Sequence, residues 1–199
     1  MTRRPRGKNR GHTETRAARA TKAAPPAQSS VSREGWTLLA HSLFLDQLER
    51  LSAKAATESE GAAGQQPGPA TKLLAHVLDL VFEKIPQDPA SPAYRHGGSL
   101  GGSNRQWFRA KTGNGRFRLF FRFHSVHRII VYAWLNDEQS LRTYGSSTDA
   151  YAVFAGMPAD GNPPSEWDAL VGAASSSSNR RRLEQAGRRR SSDDTKRSK

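Results

Sequence analysis

Positively charged side chains recur at alternate positions between residues 107 and 124, a spacing that suits chemistry on a polyanion. Side chains of a β-strand alternate between its two faces, so residues two apart share a face. One face collects Trp107, Arg109 and Lys111 and, after a glycine turn, Arg116, Arg118, Phe120, Arg122 and His124. Guanidinium and ammonium groups in a row bind phosphate oxygens. The pattern therefore predicts a sheet face that holds a polyanion, with RNA as the favoured ligand.

The same alternation predicts the strands that carry these cations. The opposite face is apolar, with Phe108, Ala110, Phe117, Leu119, Phe121 and Phe123. The turn between the two strands is Gly113-Asn114-Gly115. Residues 128–135 are almost wholly apolar after Arg128, which is typical of a strand covered on both sides. We expect three consecutive antiparallel strands, of which the first two leave their cationic face open to solvent.

Two amphipathic helices precede the strands. The first is indicated by Leu43, Phe44, Leu48 and Leu51, which recur at helical spacing after Ser42. The second is an apolar stripe over 73–85 that ends at Pro86. Residues 58–69 are predicted to form the loop between them, and residues 89–102 an extended, glycine-rich linker.

Two further helices are expected after the strands, with Thr148 and Ser165 as their N-caps. The predicted order is therefore helix, helix, strand, strand, strand, helix. This order is typical of an α+β domain in which two N-terminal helices pack on a small antiparallel sheet, followed by C-terminal helices.

The formal net charge of +13 is a property of the two ends of the chain. Residues 1–33 carry 9 Lys/Arg against 1 Asp/Glu, and residues 172–199 carry 9 against 3. Both segments are poor in large apolar side chains, so we predict two disordered basic arms around a domain at 34–171, with a short helix at 181–190 if the second arm binds an anion. Within the domain, residues 89–136 hold 8 cations and no acid. Clustered cations such as these favour phosphate binding more than overall charge does.

Composition excludes several kinds of site. The chain has no cysteine, and hence no disulfide, thiolate metal site or cysteine nucleophile. Its six histidines lack metal-ligand spacing, and the glycines at 97–98 and 101–102 lack the strand–helix context of a phosphate-binding loop. No apolar run approaches the roughly 18 residues of a membrane span. We expect a cytoplasmic protein that uses no metal and no cofactor.

Several phrases spread over residues 35–171 carry a family resemblance. They are GWTLLAH-LFLDQLERL at 35–51, IPQDP at 85–89, WFRAK at 107–111, RLFFR at 118–122, W-NDE at 134–138, TYGSSTDAY at 143–151 and GNPP-WDAL at 161–170. In this order they resemble the YhaV toxins of bacterial type II toxin–antitoxin operons, a branch of the RelE/ParE superfamily. The resemblance implies a RelE-like fold over 34–171 and leaves both arms outside it.

The resemblance implies a small, metal-independent endoribonuclease that cleaves mRNA, free or on the ribosome, and so stops translation and growth. The RNA 2′-OH attacks the neighbouring phosphate, leaving a 2′,3′-cyclic phosphate and a 5′-OH. Such a reaction needs orientation, charge stabilisation and proton transfer. The implied partner is a PrlF-type antitoxin of the swapped-hairpin, AbrB-like kind. Operator DNA would be bound only in complex with that antitoxin.

Carried over by strand pattern, the resemblance gives three strand cations a role. Arg118 is expected to stabilise the transition state, and Arg109 and Lys111 to contact the phosphate. Lys111 is the preferred base, because a lysine can lose its proton beside other cations, whereas an arginine stays charged.

The match is weaker after the last strand, where the superfamily keeps another arginine and a tyrosine. The candidates there are Arg142, Tyr144 and Tyr151, with Tyr144 stacking a base or acting as the acid. Further RNA contacts are expected from Arg116, Phe120, Arg122 and His124. Phe120 could stack a base, and the two arginines could equally contact acidic residues of the antitoxin.

Other interpretations remain open at the level of sequence. Without the resemblance, the strand cations would be ordinary solvated surface charges. The chain could be a non-catalytic nucleic-acid-binding module, or a degenerate toxin that binds its antitoxin and acts as a co-repressor. Action on gyrase, as in the ParE branch, is less favoured, because the phrases are those of YhaV. The aromatic side chains of Trp107, Phe117, Phe121 and Trp134 are predicted to be core.

Overall fold

Five strands form one mixed sheet. The computed structural model describes residues 31–61, 66–141, 143 and 146–197. Its strands are β1 (Val31–Arg33), β2 (Trp36–Ala40), β3 (Phe108–Thr112), β4 (Phe117–His124) and β5 (Ile129–Leu135). They lie in the order β1-β2-β5-β4-β3, with β2 parallel to β5 and all other neighbours antiparallel. The three predicted strands are confirmed. The expectation of a purely antiparallel sheet is wrong, because β2 adds a parallel neighbour to β5.

The helices cover both faces of this sheet. They are α1 (Ser42–Glu60), α2 (Pro69–Asp79), α3 (Ile85–Gln87), α4 (Ala150–Ala159), α5 (Trp167–Ala174) and α6 (Ser177–Arg197). One apolar cluster joins α1, α2 and α6 to one face of the sheet, and a second joins α4 and α5 to the other. The described part is thus a three-layer α+β arrangement with β5 at its centre. None of its helices is long and apolar enough to cross a membrane.

The second helix changes its winding before Pro86. A π-helical turn, Leu80–Lys84, separates α2 from α3. Proline has no N–H and its ring crowds the carbonyl four residues earlier, so a wider turn accommodates Pro86 without a break. The buried Tyr132 hydroxyl donates to the Val81 carbonyl at 2.6 Å, which fastens this turn to the sheet. Burial raises the pKa of Tyr132 well above its ordinary value.

The cationic face of β3 and β4 is covered rather than open. Phe120, expected to stack a base, is fully buried and lies parallel to Phe154 of α4 at 4.0 Å. Trp134 stacks on the same Phe154 ring at 5.9 Å. An exposed role for Phe120 is therefore wrong. The physical reason is that α4 and α5 need an apolar surface, and the aromatic residues among the cations supply it.

The C-terminal segment is a docked helix and not a disordered arm. In α6, Leu183 is buried in the first apolar cluster, and Gly187 lies so close to Phe82 that a Cβ would come within 3.3 Å of the ring. Arg182 donates to Asp46 and Glu49 of α1, each at 2.6 Å. These contacts offset the conformational entropy lost when the segment becomes ordered. Its composition alone had suggested that it lacks the contacts to do so. Residues 172–174 belong to α5.

The domain begins earlier than predicted, at Val31, because β1 pairs with β2. Residues 1–30 lie outside the described residues. The two N-cap predictions are each wrong by one residue. Asp149 caps α4 by accepting from the Tyr151 N–H, and Glu166 occupies the cap position of α5.

The docking of α6 can be tested through Leu183. We expect Leu183→Ala to lower the free energy of unfolding by about 2–4 kcal/mol, because it leaves a cavity beneath the helix. The control, Arg181→Ala, changes an exposed side chain of the same helix and should alter it by less than about 0.5 kcal/mol. Urea unfolding followed by tryptophan fluorescence measures both. Equal stability of the two variants would show that α6 is undocked in solution.

Candidate active site

A tight turn sets the register of the β3–β4 hairpin. Gly113, Asn114 and Gly115 all have positive φ angles, at 53°, 53° and 77°. At Gly113 a Cβ would also lie 2.6 Å from the Phe117 ring, so only glycine fits there. In the resulting register Lys111 lies opposite Arg118. The predicted turn is confirmed.

Three predicted catalytic cations share one face of this hairpin. Arg109 pairs with Phe120 and Lys111 with Arg118, so their side chains project to the face that α4 covers. Lys111 is exposed, Arg109 is partly exposed, and Arg118 is only 5% exposed. Among the described residues, no carboxylate lies within ion-pair distance of any of the three.

Arg118 is buried, in contrast to the expected open face. Its Nη1 donates to the Gly115 carbonyl at 2.5 Å and to the Phe117 carbonyl at 2.9 Å. Its Nε–H is buried and has no acceptor among the described atoms. A buried cation with incomplete hydrogen bonding is costly, and an anion placed beside it would lower that cost.

Tyr151, in the first turn of α4, connects two of these arginines. Its hydroxyl accepts a hydrogen bond from Arg109 Nε at 2.6 Å, and its ring centroid lies 5.8 Å from the Arg118 guanidinium carbon. Arg109 Nη1 also donates to the Ala93 carbonyl at 3.0 Å. Tyr151, which alone of the three candidates beyond the last strand lies among the described residues, thus contacts two of the strand cations.

Arg142 and Tyr144 lie outside the described residues, so their roles stay predictions. Thr143, between them, donates its backbone N–H to Asp149 Oδ2 at 2.7 Å. Asp149 is buried and caps the helix that carries Tyr151.

Asn136 holds the backbone of Arg118 in place through a buried side-chain hydrogen bond, a role that the sequence analysis did not predict. Its Oδ1 accepts from the Arg118 backbone N–H at 2.5 Å, and its Nδ2 donates to the Ser140 carbonyl at 2.8 Å. The side chain is 1% exposed. The signal available in the sequence was the polar run Asn136-Asp137-Glu138 directly after an apolar strand. A buried amide bonded on both sides fixes its neighbours.

Asp137 caps the short 3₁₀ turn that follows β5. Its carboxylate accepts from the backbone N–H groups of Gln139 and Ser140, from the Ser140 hydroxyl, and from Gln47 of α1. Burial alone would raise the pKa of Asp137, but the hydrogen bonds from Ser140, Gln47 and Gln139 hold it below its ordinary value.

The side chains predicted to contact RNA differ in exposure and in the number of their contacts within the protein. Arg116 is exposed beside the turn. The guanidinium of Arg122 lies 5.4 Å from the rings of both Trp107 and Trp167, and its Nη1 donates to the Ser165 carbonyl at 2.5 Å. Burial lowers the pKa of Arg122. The guanidinium of Arg122 is therefore already committed to protein contacts.

His124 behaves as an ordinary residue beside a turn. Its Nδ1 accepts from the His127 backbone N–H at 3.3 Å, and the two rings lie 4.5 Å apart. In the described ranges, no group of three His, Asp or Glu side chains could hold a metal ion.

Comparison with known proteins decides the family. Residues 38–175 match the model of a family described as a toxin with endonuclease activity, of a toxin–antitoxin system. The chain belongs to the YhaV toxin family. It is 46% identical over 138 residues to the "Ribonuclease toxin YhaV" of Escherichia coli strain K12 and to the "Toxin YhaV" of Escherichia coli O157:H7. In both cases the match covers 68% of this chain and 90% of the relative. No solved structure matches.

Membership of the YhaV family confirms the predicted toxin with nuclease activity. The matched region contains β3, β4, β5 and α4, and thus Arg109, Lys111, Arg118 and Tyr151. It ends at residue 175, before α6 begins.

The Asp137 cap should make stability depend on pH. The folded pKa lies below the unfolded value of about 3.9, so the cap contributes fully above that pH and is lost as pH falls through the folded pKa. We expect Asp137→Asn to be about 1 kcal/mol less stable than wild type at pH 7, because its charge-assisted hydrogen bonds become neutral ones, and to lose less stability on acidification. Urea unfolding at pH 7 and between pH 5 and 2 measures this, with the exposed Asp160→Asn as control. Parallel acid profiles of wild type and Asp137→Asn would contradict the assignment.

Proposed function

We propose that this chain is a toxin that cleaves mRNA as an endoribonuclease. The observation that supports it most is the group of Arg109, Lys111 and Arg118 on one hairpin face, two of them in contact with Tyr151. Among the described residues, none of the three cations lies within ion-pair distance of a carboxylate, so their charge is available to a phosphate. The relative's name, a ribonuclease toxin, agrees with RNA as the substrate.

The proposed reaction is the transfer of the phosphodiester to the 2′-oxygen. A bond forms between the 2′-oxygen and phosphorus, and the bond from phosphorus to the 5′-oxygen breaks. The unprotonated amine of Lys111 takes the proton of the 2′-OH and becomes an ammonium group, and Arg118 stabilises the negative charge that develops on the phosphate oxygens. The leaving 5′-oxygen accepts a proton, for which Tyr144 is the proposed donor. No metal takes part in the proposed steps.

The burial of Arg118 suits this role. An arginine held by the carbonyls of Gly115 and Phe117 needs no reorganisation when charge develops, and its field is less screened than at the surface. Arg109 is positioned by Tyr151 and Ala93, and it is proposed to bind the same phosphate. Arg142, Arg116 and His124 are proposed as further contacts along the RNA strand.

The proposed partners follow from the family. A PrlF-type antitoxin of the swapped-hairpin kind would neutralise the toxin in the cytoplasm, and the complex would bind operator DNA. The substrate would be mRNA, either free or on translating ribosomes.

Arg118→Ala tests the site most directly. We expect cleavage of a defined mRNA in EDTA to leave 5′-OH ends, and its rate to fall by at least about 10²–10³ in the variant. The assay is run with and without ribosomes, and Arg181→Ala serves as the surface-arginine control. Circular dichroism and a thermal melt show whether the variant is folded.

The contrary outcomes separate the alternatives. RNA binding that falls with salt, without cleavage by the wild type, would point to a non-catalytic binding module. Neither cleavage nor RNA binding, with antitoxin binding intact, would point to a degenerate toxin that acts as a co-repressor.

Lys111→Arg separates proton transfer from phosphate binding. The variant keeps a cationic side chain at this exposed position, but an arginine is always protonated and so cannot take the proton of the 2′-OH. We expect RNA affinity to be retained and cleavage to fall by about 10²–10⁴. Filter binding and single-turnover cleavage measure the two effects. Cleavage within a few-fold of wild type would restrict Lys111 to a binding role.

Tyr151→Phe tests the positioning of Arg109. Loss of the hydroxyl removes the acceptor of Arg109 Nε and leaves the ring in place. We expect a loss of about 1 kcal/mol in transition-state stabilisation, roughly a five-fold lower kcat/KM, with the melting temperature little changed. A loss as large as that of Arg118→Ala would instead make Tyr151 a proton donor.

A further inference from the structure

A groove lies between α1, α2 and the β3–β4 turn, on the face of the sheet opposite to the strand cations. It consists of two adjoining cavities of about 350 Å³ and 600 Å³. Both are lined by Leu51, Leu73 and Phe117, and both reach Lys54 and Glu138. These three apolar side chains form a floor that the two cavities share, and it is mainly aliphatic.

The acids around the groove are all engaged within the protein. The Glu58 carboxylate accepts from the backbone N–H groups of Ala70 and Thr71, at the start of α2. Burial opposes ionisation of Glu58, yet these bonds hold its pKa below the ordinary value. Glu138 forms an ion pair with Lys54, and Asp137 is the cap described above.

Two cations at the rim of the groove, in contrast, form no ion pair among the described residues. Lys72 of α2 and Arg116 of the β3–β4 turn are exposed and line the larger cavity. With its acids already bonded, the groove presents an apolar floor under a positive rim.

These properties favour one class of occupant. An aliphatic floor suits Leu, Ile or Val side chains better than it suits the stacking of bases. The chain's own residues 1–33, with a net charge of +8, and a second copy, at +13, would bring like charge to the rim. An acidic polypeptide segment with aliphatic side chains complements both the floor and the rim.

We propose that this groove binds an acidic, aliphatic segment of the antitoxin. The proposal rests on the antitoxin partner that the family implies. Arg116 belongs to the turn that connects the strands of Lys111 and Arg118, so a segment seated in the groove would contact the turn that sets the pairing of these two cations.

The test is a charge reversal at the rim. The probe is the purified antitoxin encoded by the reading frame adjacent to this gene, titrated by calorimetry into the wild type, Lys72→Glu and Arg181→Glu. We expect Lys72→Glu to weaken the antitoxin complex by at least about ten-fold, and to reduce the loss of affinity caused by added salt. Arg181→Glu reverses an equally exposed charge on α6 and should bind like the wild type.

Each other result is informative. Equal affinity of the two variants would overturn the proposal. A drop in RNA cleavage by Lys72→Glu, with antitoxin affinity unchanged, would assign the groove to RNA. The titration does not depend on catalysis, so a wild type that fails to cleave RNA but binds antitoxin through Lys72 would refute the proposed nuclease and retain the groove.

Discussion

The stacking of Phe154 on Phe120, at 4.0 Å, is the contact on which the candidate active site depends. It holds α4 against the face of the sheet that carries the cations. Tyr151 lies one helical turn before Phe154, and this places its hydroxyl on Arg109 and its ring near Arg118. An apolar contact thus determines the geometry of a charged site. Arg118 on this face is only 5% exposed, so water screens its interaction with an anion less than at the surface.

The hairpin was predictable from sequence because its signals are local. Alternation over 107–124 and two glycines around Asn114 define the faces, the turn and the pairing of Lys111 with Arg118. The two-sided burial of β5 was equally visible, since Ile130 and Val131 face opposite clusters. These features depend only on neighbours in the chain, and period-two patterns report them well.

What the sequence did not reveal depends on distant partners. The residues around Phe120 in the sequence do not indicate that α4 covers it. The same alternation of cations and aromatic residues occurs on exposed sheet faces and on faces covered by a helix. The bond between Asn136 and Arg118 likewise arises only when β5 is paired with β4. The order of α6 depends on Asp46 and Glu49, more than 130 residues away. Arginine-rich composition suggested disorder because the compensating acids are remote.

The position of α6 separates the family region from the folding unit. The family match ends at residue 175, but α6 supplies Leu183 to the core and its arginines to acids on α1 and on the segment around Asp79. A protein shortened at the family boundary would uncover apolar side chains around Phe82 and leave Asp46 and Glu49 without their partner Arg182. Such a protein should aggregate through the uncovered apolar surface and should also be less stable, and its aggregation could be misread as a folding defect of the nuclease domain. For this chain, the unit to handle in the laboratory extends through α6.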